Sequence, residues 1–233
     1  AQLQFWETYK TQEVLPYILQ VNQALVELNK SKETKGEVAE ASEVQDSTAS
    51  VIDDLTGQIE SDSTNVAETN PLGIQGYGNG GSVIGMFLAK DKAKVIAQLN
   101  DPKNRATLPV DMRYAKFVWG IQQKDSEFAE LYAIKSNRDN MPQLSGAVIT
   151  DARQDYDQIS RSAVSMQMNA KGAKIWEEMT KVAYETQGFI AIVLDDIVYS
   201  APSVSSGPIA GGNSQISGSF SLTEAVDLAN VLR

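Results

Sequence analysis

The sequence predicts an α+β fold of mixed or antiparallel sheets with packed helices, and three stretches carry that prediction. Residues 83–135 read as strand, short helix, strand, strand, a compact α+β unit. Val164, Met166 and Met168 alternate with Ser165 and Gln167, the period of a half-buried strand, and lead into a helix that Asn169 caps. Phe189–Ser200 reads as a hairpin, and the last helix opens on Ser221-Leu222-Thr223-Glu224.

Taken in order, Val14, Ile18, Val21, Leu25 and Leu28 recur at helical spacing and predict an amphipathic helix over Thr11–Asn29, with Pro16 in a first turn. Between Lys30 and Asn70 the composition shifts to Ser, Thr, Glu, Asp and Ala. Such a stretch buries too little apolar area to offset a chain entropy of roughly 1–2 kcal/mol per residue, so a mobile connection is expected, with one short helix near Val51–Ile59. Pro71–Ser82 is Gly-rich, but no GK[ST] follows and the glycines do not lead a strand into a helix. A plain connecting loop is expected there rather than a phosphate cradle.

Val83–Ala89 then reads as a buried strand and Asp91–Asn100 as a helix with Ala93, Ile96, Ala97 and Leu99 near one face; Asp101-Pro102 marks its exit. Strands follow around Arg113–Ile121 and Phe128–Lys135. In the carboxyl half, Ile175, Trp176, Met179, Val182 and Ala183 give a helix over 170–186 one apolar face, and Gly188 ends it. Core packing, not a cofactor box, is the reading for that Trp and Met pair. The hairpin turns at Asp195-Asp196, Ala201-Pro202 stops its second strand, Gly211-Gly212 reverses the chain, and Gln215–Phe220 forms another strand. In the last helix the Ser221 hydroxyl and Glu224 carboxylate satisfy two orphan amides reciprocally, and Ala225, Leu228, Ala229 and Leu232 share a face.

Composition excludes several function classes. The 233 residues suffice for one large or two small domains. No apolar run approaches the roughly 20 residues of a membrane helix, and no basic region precedes an apolar stretch at the amino end as in a targeting segment. Twenty Lys and Arg against 30 Asp and Glu leave a net charge of −10, which disfavours nucleic acid and anionic lipid surfaces. With no Cys and no His, the chain has no disulfide, thiol nucleophile, Cys/His zinc site or imidazole base. Cysteine absence is compatible with a periplasmic home.

The stretch GFIAIVLDDIVYSAPSVSSGPIAGGNSQISGSFSLTEAVDLANVLR, Gly188–Arg233, joins strand, turn, Ser-Ala-Pro, Gly-Gly and capped helix in an order that resembles SecD, a family of protein-export membrane proteins. LSGAVITDARQDYD (144–157) and VSMQMNAKGAKIWEEMT (164–180) resemble the family at similar spacing, and AQLQFWETY (1–9) resembles its A.LEFR strand, a late strand of the base. About 105 residues carry the likeness. Lys10–Met141 resembles only the longer insertion of the fused SecDF proteins of Bacteroidetes-type bacteria. Asp196 departs from the glycine usual in relatives and leaves the turn type open, because both central residues of a type I′ turn need positive φ.

The resemblance implies a ferredoxin-like base, present only as a fragment, with a large α+β head inserted in it. Residues 1–9 are then a base strand, 10–30 an amphipathic helix, 31–82 a mobile polar and Gly-rich connection, 83–141 an α+β insertion, 142–218 the head core, and 219–233 a returning base helix. It further implies the periplasmic face of the inner membrane, a preprotein-capturing head that swings on its base, and a SecYEG translocon and SecF part reached through membrane helices outside this sequence. Proton coupling belongs to acidic residues in those helices. Trp6, Glu7, Ser217 and Gly218 are the candidate head-to-base hinge.

The residues offer little to catalysis. Asp195 and Asp196 are adjacent on a hairpin turn, whereas a glycosidase pair sits roughly 5–9 Å apart across a cleft. Ser203, Ser205 and Ser206, conceivable in a Ser–Lys dyad, lie in a Pro/Gly-bounded loop without a nucleophile elbow. Asp151, Asp155 and Asp157 lack the central Gly and terminal Glu of a calcium loop and are expected on an exposed strand face. No enzyme, cofactor or metal is expected. What remains is weak binding of unfolded preprotein at an apolar groove or accessible sheet edge, with Ile197, Tyr199, Val204, Met166 and Met168 as candidate contacts. Structural packing competes for each of them. The other class is a periplasmic ligand-binding or structural module unrelated to export, for which Trp6, Trp119 and Trp176 must converge on a closed pocket.

Overall fold

A computed structural model describes residues 2–40, 69–122 and 125–232, with the backbone alone for 33–40 and 218–220. Most of the polar connection, including the short helix expected near Val51–Ile59, lies outside the described residues. The elements are β1 (Leu3–Glu7), α1 (Thr11–Glu40), β2 (Ile74–Tyr77), β3 (Val83–Leu88), α2 (Lys92–Leu99), α3 (Pro102–Arg105), β4 (Lys116–Gly120), β5 (Phe128–Ile134), β6 (Leu144–Ser145), β7 (Ile149–Tyr156), β8 (Ser162–Met168), α4 (Ala170–Glu185), β9 (Ile190–Leu194), β10 (Ile197–Ser200), β11 (Asn213–Phe220) and α5 (Leu222–Leu232). The fold is α+β, as its sequence predicts.

Eight strands share one mixed sheet in the order β2-β3-β5-β4-β10-β9-β1-β6, and β11-β8-β7 form a second, antiparallel sheet. The first sheet curls back on itself. Past Glu7, Thr8 bridges Ile134, flanked by backbone bonds from Tyr9 N–H to Ala133 O (2.8 Å) and Lys135 N–H to Glu7 O (2.8 Å). The strands β1-β9-β10-β4-β5 therefore close into a small barrel. Its lumen holds Trp6, Val118, Tyr132, Ile134, Ala191, Val193 and Val198, all buried, with Val83 and Ala201 packed against them. Burial raises the Tyr132 hydroxyl pKa, and its bond to Glu130 adds to that.

Two further cores lie outside the barrel. One takes Val14, Tyr17, Ile18 and Val21 of α1, Val95 and Leu99 of α2, and Phe87, Phe117, Leu131 and Ala133 of the sheet. Tyr17 anchors it through a 2.6 Å bond to Leu99 O, and burial pushes that phenol up to about 12. The other takes Leu3 and Phe5 together with Trp176, Met179, Ile190, Ile192, Leu228 and Leu232, so residues near both ends of the chain share one core. Phe5 and Trp176 meet edge to face at 5.3 Å.

Local signals end where propensity or long-range pairing takes over. The α1 helix runs to Glu40, ten residues beyond the expected boundary, because Lys, Glu and Ala sustain a helix after the apolar stripe stops. Pro16 is the sixth helical residue rather than a first-turn one, so α1 gives up the bond to the Gln12 carbonyl. The Gly-rich loop contains β2, paired with β3. Gly78 lets the chain turn there, since a Cβ at that position would run into the Val83 carbonyl. Asp101 caps α3 by accepting from Lys103 N–H at 2.9 Å, so Asp101-Pro102 starts a new turn as well as ending α2.

Candidate functional site

The β9–β10 hairpin is the element to which the candidate contacts attach. Asp195 and Asp196 both have positive φ, 47° and 64°, which resolves the open question in favour of a type I′ turn without glycine. Each carboxylate has local work. Asp195 Oδ1 accepts from Gln2 N–H at 2.8 Å, holding the start of β1, and Asp196 Oδ1 meets Lys116 Nζ of β4 at 2.5 Å. The pair is thus spent on strand registration, not set across a cleft. Replacing Asp196 by glycine removes a left-handed L-residue, worth roughly 1 kcal/mol or more, and an exposed ion pair worth about 0–1 kcal/mol. A small rise in melting temperature is the expected outcome; thermal melts of the two chains measure it.

The candidate contacts separate into two groups. Ile197 is 42% exposed, and Tyr199 and Val204 are half-buried against the carboxyl core, so these three line accessible surface on and after β10. Ile197 sits beside half-buried Trp119 in register, and Lys92 Nζ lies 5.8 Å over the Trp119 ring. Met166 and Met168 instead face inward, 3% and 5% exposed, and pack with Ala152, Val164 and Ile216. Their alternation is real, but the carboxyl core covers the face they share.

The hinge candidates also differ. Trp6 is 1% exposed inside the barrel and donates its indole N–H to Gln4 Oε1 at 2.9 Å, while Glu7 lies 3.9 Å from Lys135 Nζ. The antiparallel ladder between β11 and β8 shifts register between Ser217 and Phe220, beside Gly218. Nor do the three tryptophans converge. Trp6 fills the barrel, Trp119 meets Phe87 on its outside, and Trp176 packs in the carboxyl core with its indole N–H unpartnered.

Open clefts lie among the described residues. One, of about 600 Å³, is lined by Leu3, Lys116, Met141, Pro142, Asp196 and Leu232 among others; the second, of about 400 Å³, lies on the polar face of the three-stranded sheet with Arg153, Gln167, Asn213 and Gln215. Asp151 and Asp155 stand on that strand β7, and Asp157 closes the following turn by accepting from Ile159 and Arg161 N–H and pairing with the Arg161 guanidinium at 2.8 Å. Among the described residues, no group of three or more acidic side chains has metal-site geometry.

Those carboxylates set a pH dependence. The Ser165 hydroxyl and Tyr156 N–H lower the Asp155 pKa, and the Arg161 backbone N–H, with its side chain, lowers that of Asp157. A depressed carboxylate stabilises the fold above its unfolded pKa, about 4, and that contribution fades as pH falls through the folded value. The β7–β8 hairpin is expected to lose amide protection, relative to the intrinsic exchange rate, as pH falls below about 4, and Asp157→Asn to flatten that response, as protection factors across the acid range would report.

Residues 125–233 match the family model of the SecDF P1 head subdomain. The SecD protein translocase subunit of Rhodothermus marinus is 38% identical over 155 residues, 66% of this chain and 24% of that protein. The SecD subunit of Syntrophobacter fumaroxidans is 46% identical over 91 residues, 39% of this chain and 16% of that one. The SecDF subunit of Thermus thermophilus is 42% identical over 92 residues, 40% and 12% respectively. The chain thus spans a quarter or less of these curated relatives. A solved structure described as a membrane component SecDF that enhances protein export is 22% identical, covers 99% of this chain and 92% of its own, and superposes with a TM-score of 0.36. The Thermus SecDF crystal structure is 24% identical with a TM-score of 0.35, over 62% of this chain and 26% of that one. No described helix is long and apolar enough to cross a membrane.

Proposed function

We infer, for a chain that carries a SecD/SecDF P1 head, that it is the periplasmic, non-catalytic part of a Sec translocase accessory subunit and binds unfolded preprotein weakly through the β9–β10 hairpin. The observation that carries this reading is the accessible apolar set of Ile197 and Tyr199 on β10 and Val204 shortly after it, all inside the matched head. A row of apolar groups beside backbone suits clients that share no sequence, and ordering a disordered chain keeps the affinity low. SecYEG and the SecF part are reached through membrane segments of the parent protein. Movement driven by the proton gradient is proposed to pivot near Ser217–Gly218, where the ladder is already interrupted, more than at Trp6–Glu7, which the barrel holds.

Binding of a reduced, carboxymethylated protein to this chain tests the reading. Ile197→Asp, at an exposed position, is expected to weaken binding roughly three- to tenfold with little change in melting temperature, as losing about 1 kcal/mol of apolar contact predicts. Equal binding by wild type and variant would remove the hairpin from the site. In the parent protein, a cross-link from the Gly218 region to the base is expected to impair export at unchanged expression; full export with the link quantitatively formed would remove the swing. A ligand-binding module unrelated to export is the weaker reading, because the three tryptophans occupy three separate environments.

A further inference from the structure

The barrel is assembled from two parts of the chain. Among the described residues, the amino-side core uses only those between Tyr9 and Ala133, and the carboxyl-side core only Leu3, Phe5 and those from Leu144 to Leu232. The lumen alone is shared: Trp6, Ala191, Val193 and Val198 come from one part, and Val118, Tyr132 and Ile134 from the other. Within the ring of five strands, the two parts meet at two seams.

The seams are not equivalent. At Thr8–Ile134 the chain itself crosses, outward through Thr8–Thr11 and back through 135–143, so that side is covalently tied. Lys10 Nζ to Thr186 O, 2.7 Å, and the Glu7–Lys135 pair lie on the same side. At β4–β10 no covalent link exists. That seam is a parallel pairing registered only at Ile197↔Trp119 and Val198↔Gly120, plus Ile121 N–H to Val198 O at 2.9 Å. By contrast, β1 and β9 pair at five positions and β4 and β5 at four. Parallel pairing is also the weaker kind per residue.

One side-chain link spans the β4–β10 seam near its end, Lys116 to Asp196, with side chains 30% and 69% exposed. Asp196 makes it from a left-handed turn position that glycine would occupy without strain. The strand that β4 covers is β10, which carries Ile197 and Tyr199. In this structure β10 has no free edge.

We propose that β4 is a resident, displaceable strand on the β10 edge, latched by Lys116–Asp196, and that fraying of this seam opens the edge to an extended segment of client polypeptide. The proposal rests on the hairpin being the client surface. A client strand pairing with β10 restores on β10 the backbone bonds that β4 made and covers Val198, while the released β4 edge, the Ile121 N–H included, turns to water. The Thr8–Ile134 side acts as the hinge, because both chain crossings are there. The described amino-side part, α1 and α2 packed on β2–β5, then forms an internal cover that lowers affinity in the resting state and excludes short or poorly extended segments.

The test uses the whole chain, which has no cysteine of its own. Hydrogen exchange at the Ile121 amide is expected to be faster than at Ile192 and Leu131, and Asp196→Asn, which keeps a residue tolerant of positive φ, is expected to raise it about two- to fivefold. Exchange of Ile121 only together with Ile192 and Leu131, in wild type and variant alike, would overturn the opening seam. A second arm compares the oxidised and reduced forms of one double variant, Trp119→Cys with Ile197→Cys, for binding of reduced, carboxymethylated protein. Weaker binding by the oxidised form supports the cover. Equal binding by both forms, with the seam shown to open in wild type, overturns the cover and leaves the hairpin reading standing. Binding by neither form, nor by wild type, sinks the hairpin reading itself, and the exchange measurement still decides the seam.

Discussion

Replacing Trp6 by alanine is expected to lower the melting temperature by roughly 6–20 °C. The side chain is 1% exposed and is the largest in the barrel lumen, where it touches both parts of the chain. Emptying such a site costs about 3–5 kcal/mol, because neighbours on closed strands relax poorly into the void, and for a chain of this length each kcal/mol is worth about 2–4 °C. Trp119→Ala is the control. Trp119 is half-buried on the outer surface beside Phe87 and Lys92, so its loss opens no enclosed cavity and the expected shift is smaller. Thermal unfolding followed by circular dichroism compares the two. Similar small shifts would mean that the lumen contributes no more than the outer face, and the barrel would lose its place as the joint between the two cores.

The same residue shows what a sequence conceals. The Asn169 cap, the Ser221–Glu224 capping box and the Ala225, Leu228, Ala229 and Leu232 face were all legible, because each depends on neighbours within a few positions. Trp6 was legible only as part of a strand. Its burial depends on Thr8 meeting Ile134, 126 positions later, a pairing no local period encodes. The parallel contact of β4 with β10 is hidden for the same reason. Sequence reading therefore located β10 correctly as a strand but not the neighbour that occupies its edge.

The candidate site was half legible. Alternation placed Met166 and Met168 on one face of β8 and left open whether that face was covered; α5 packs on β7 and β8 and settles it as core. Ile197, a candidate on the hairpin's second strand, is exposed. Asp196, read as a departure from glycine with a conformational cost, gains its explanation from Lys116, 80 positions earlier. Alternation reports a side, whereas exposure requires knowing what lies over it.

Gly211 and Gly212 give the second large effect and carry their own control. Both have positive φ, 80° and 75°, so an alanine at either incurs roughly 1–2 kcal/mol of left-handed strain. Gly211 faces open space, and nothing lies within 4 Å of a Cβ added there. At Gly212 the same atom would come to 2.9 Å from Ala173 Cβ and 3.1 Å from the Met168 carbonyl. That contact joins the reversal to α4 and to the end of β8, where Met168 N–H already bonds to Gly212 O at 2.8 Å, so the chain has little room to retreat. Overpacking of this kind adds about 1–3 kcal/mol. Gly211→Ala is therefore expected to lower the melting temperature by roughly 2–8 °C, and Gly212→Ala by roughly 4–20 °C. Hydrogen exchange should localise the extra loss to the Met168 amide and the start of α4. Equal losses in the two variants would show that backbone strain alone sets the cost, and that the close approach of the reversal to α4 contributes nothing.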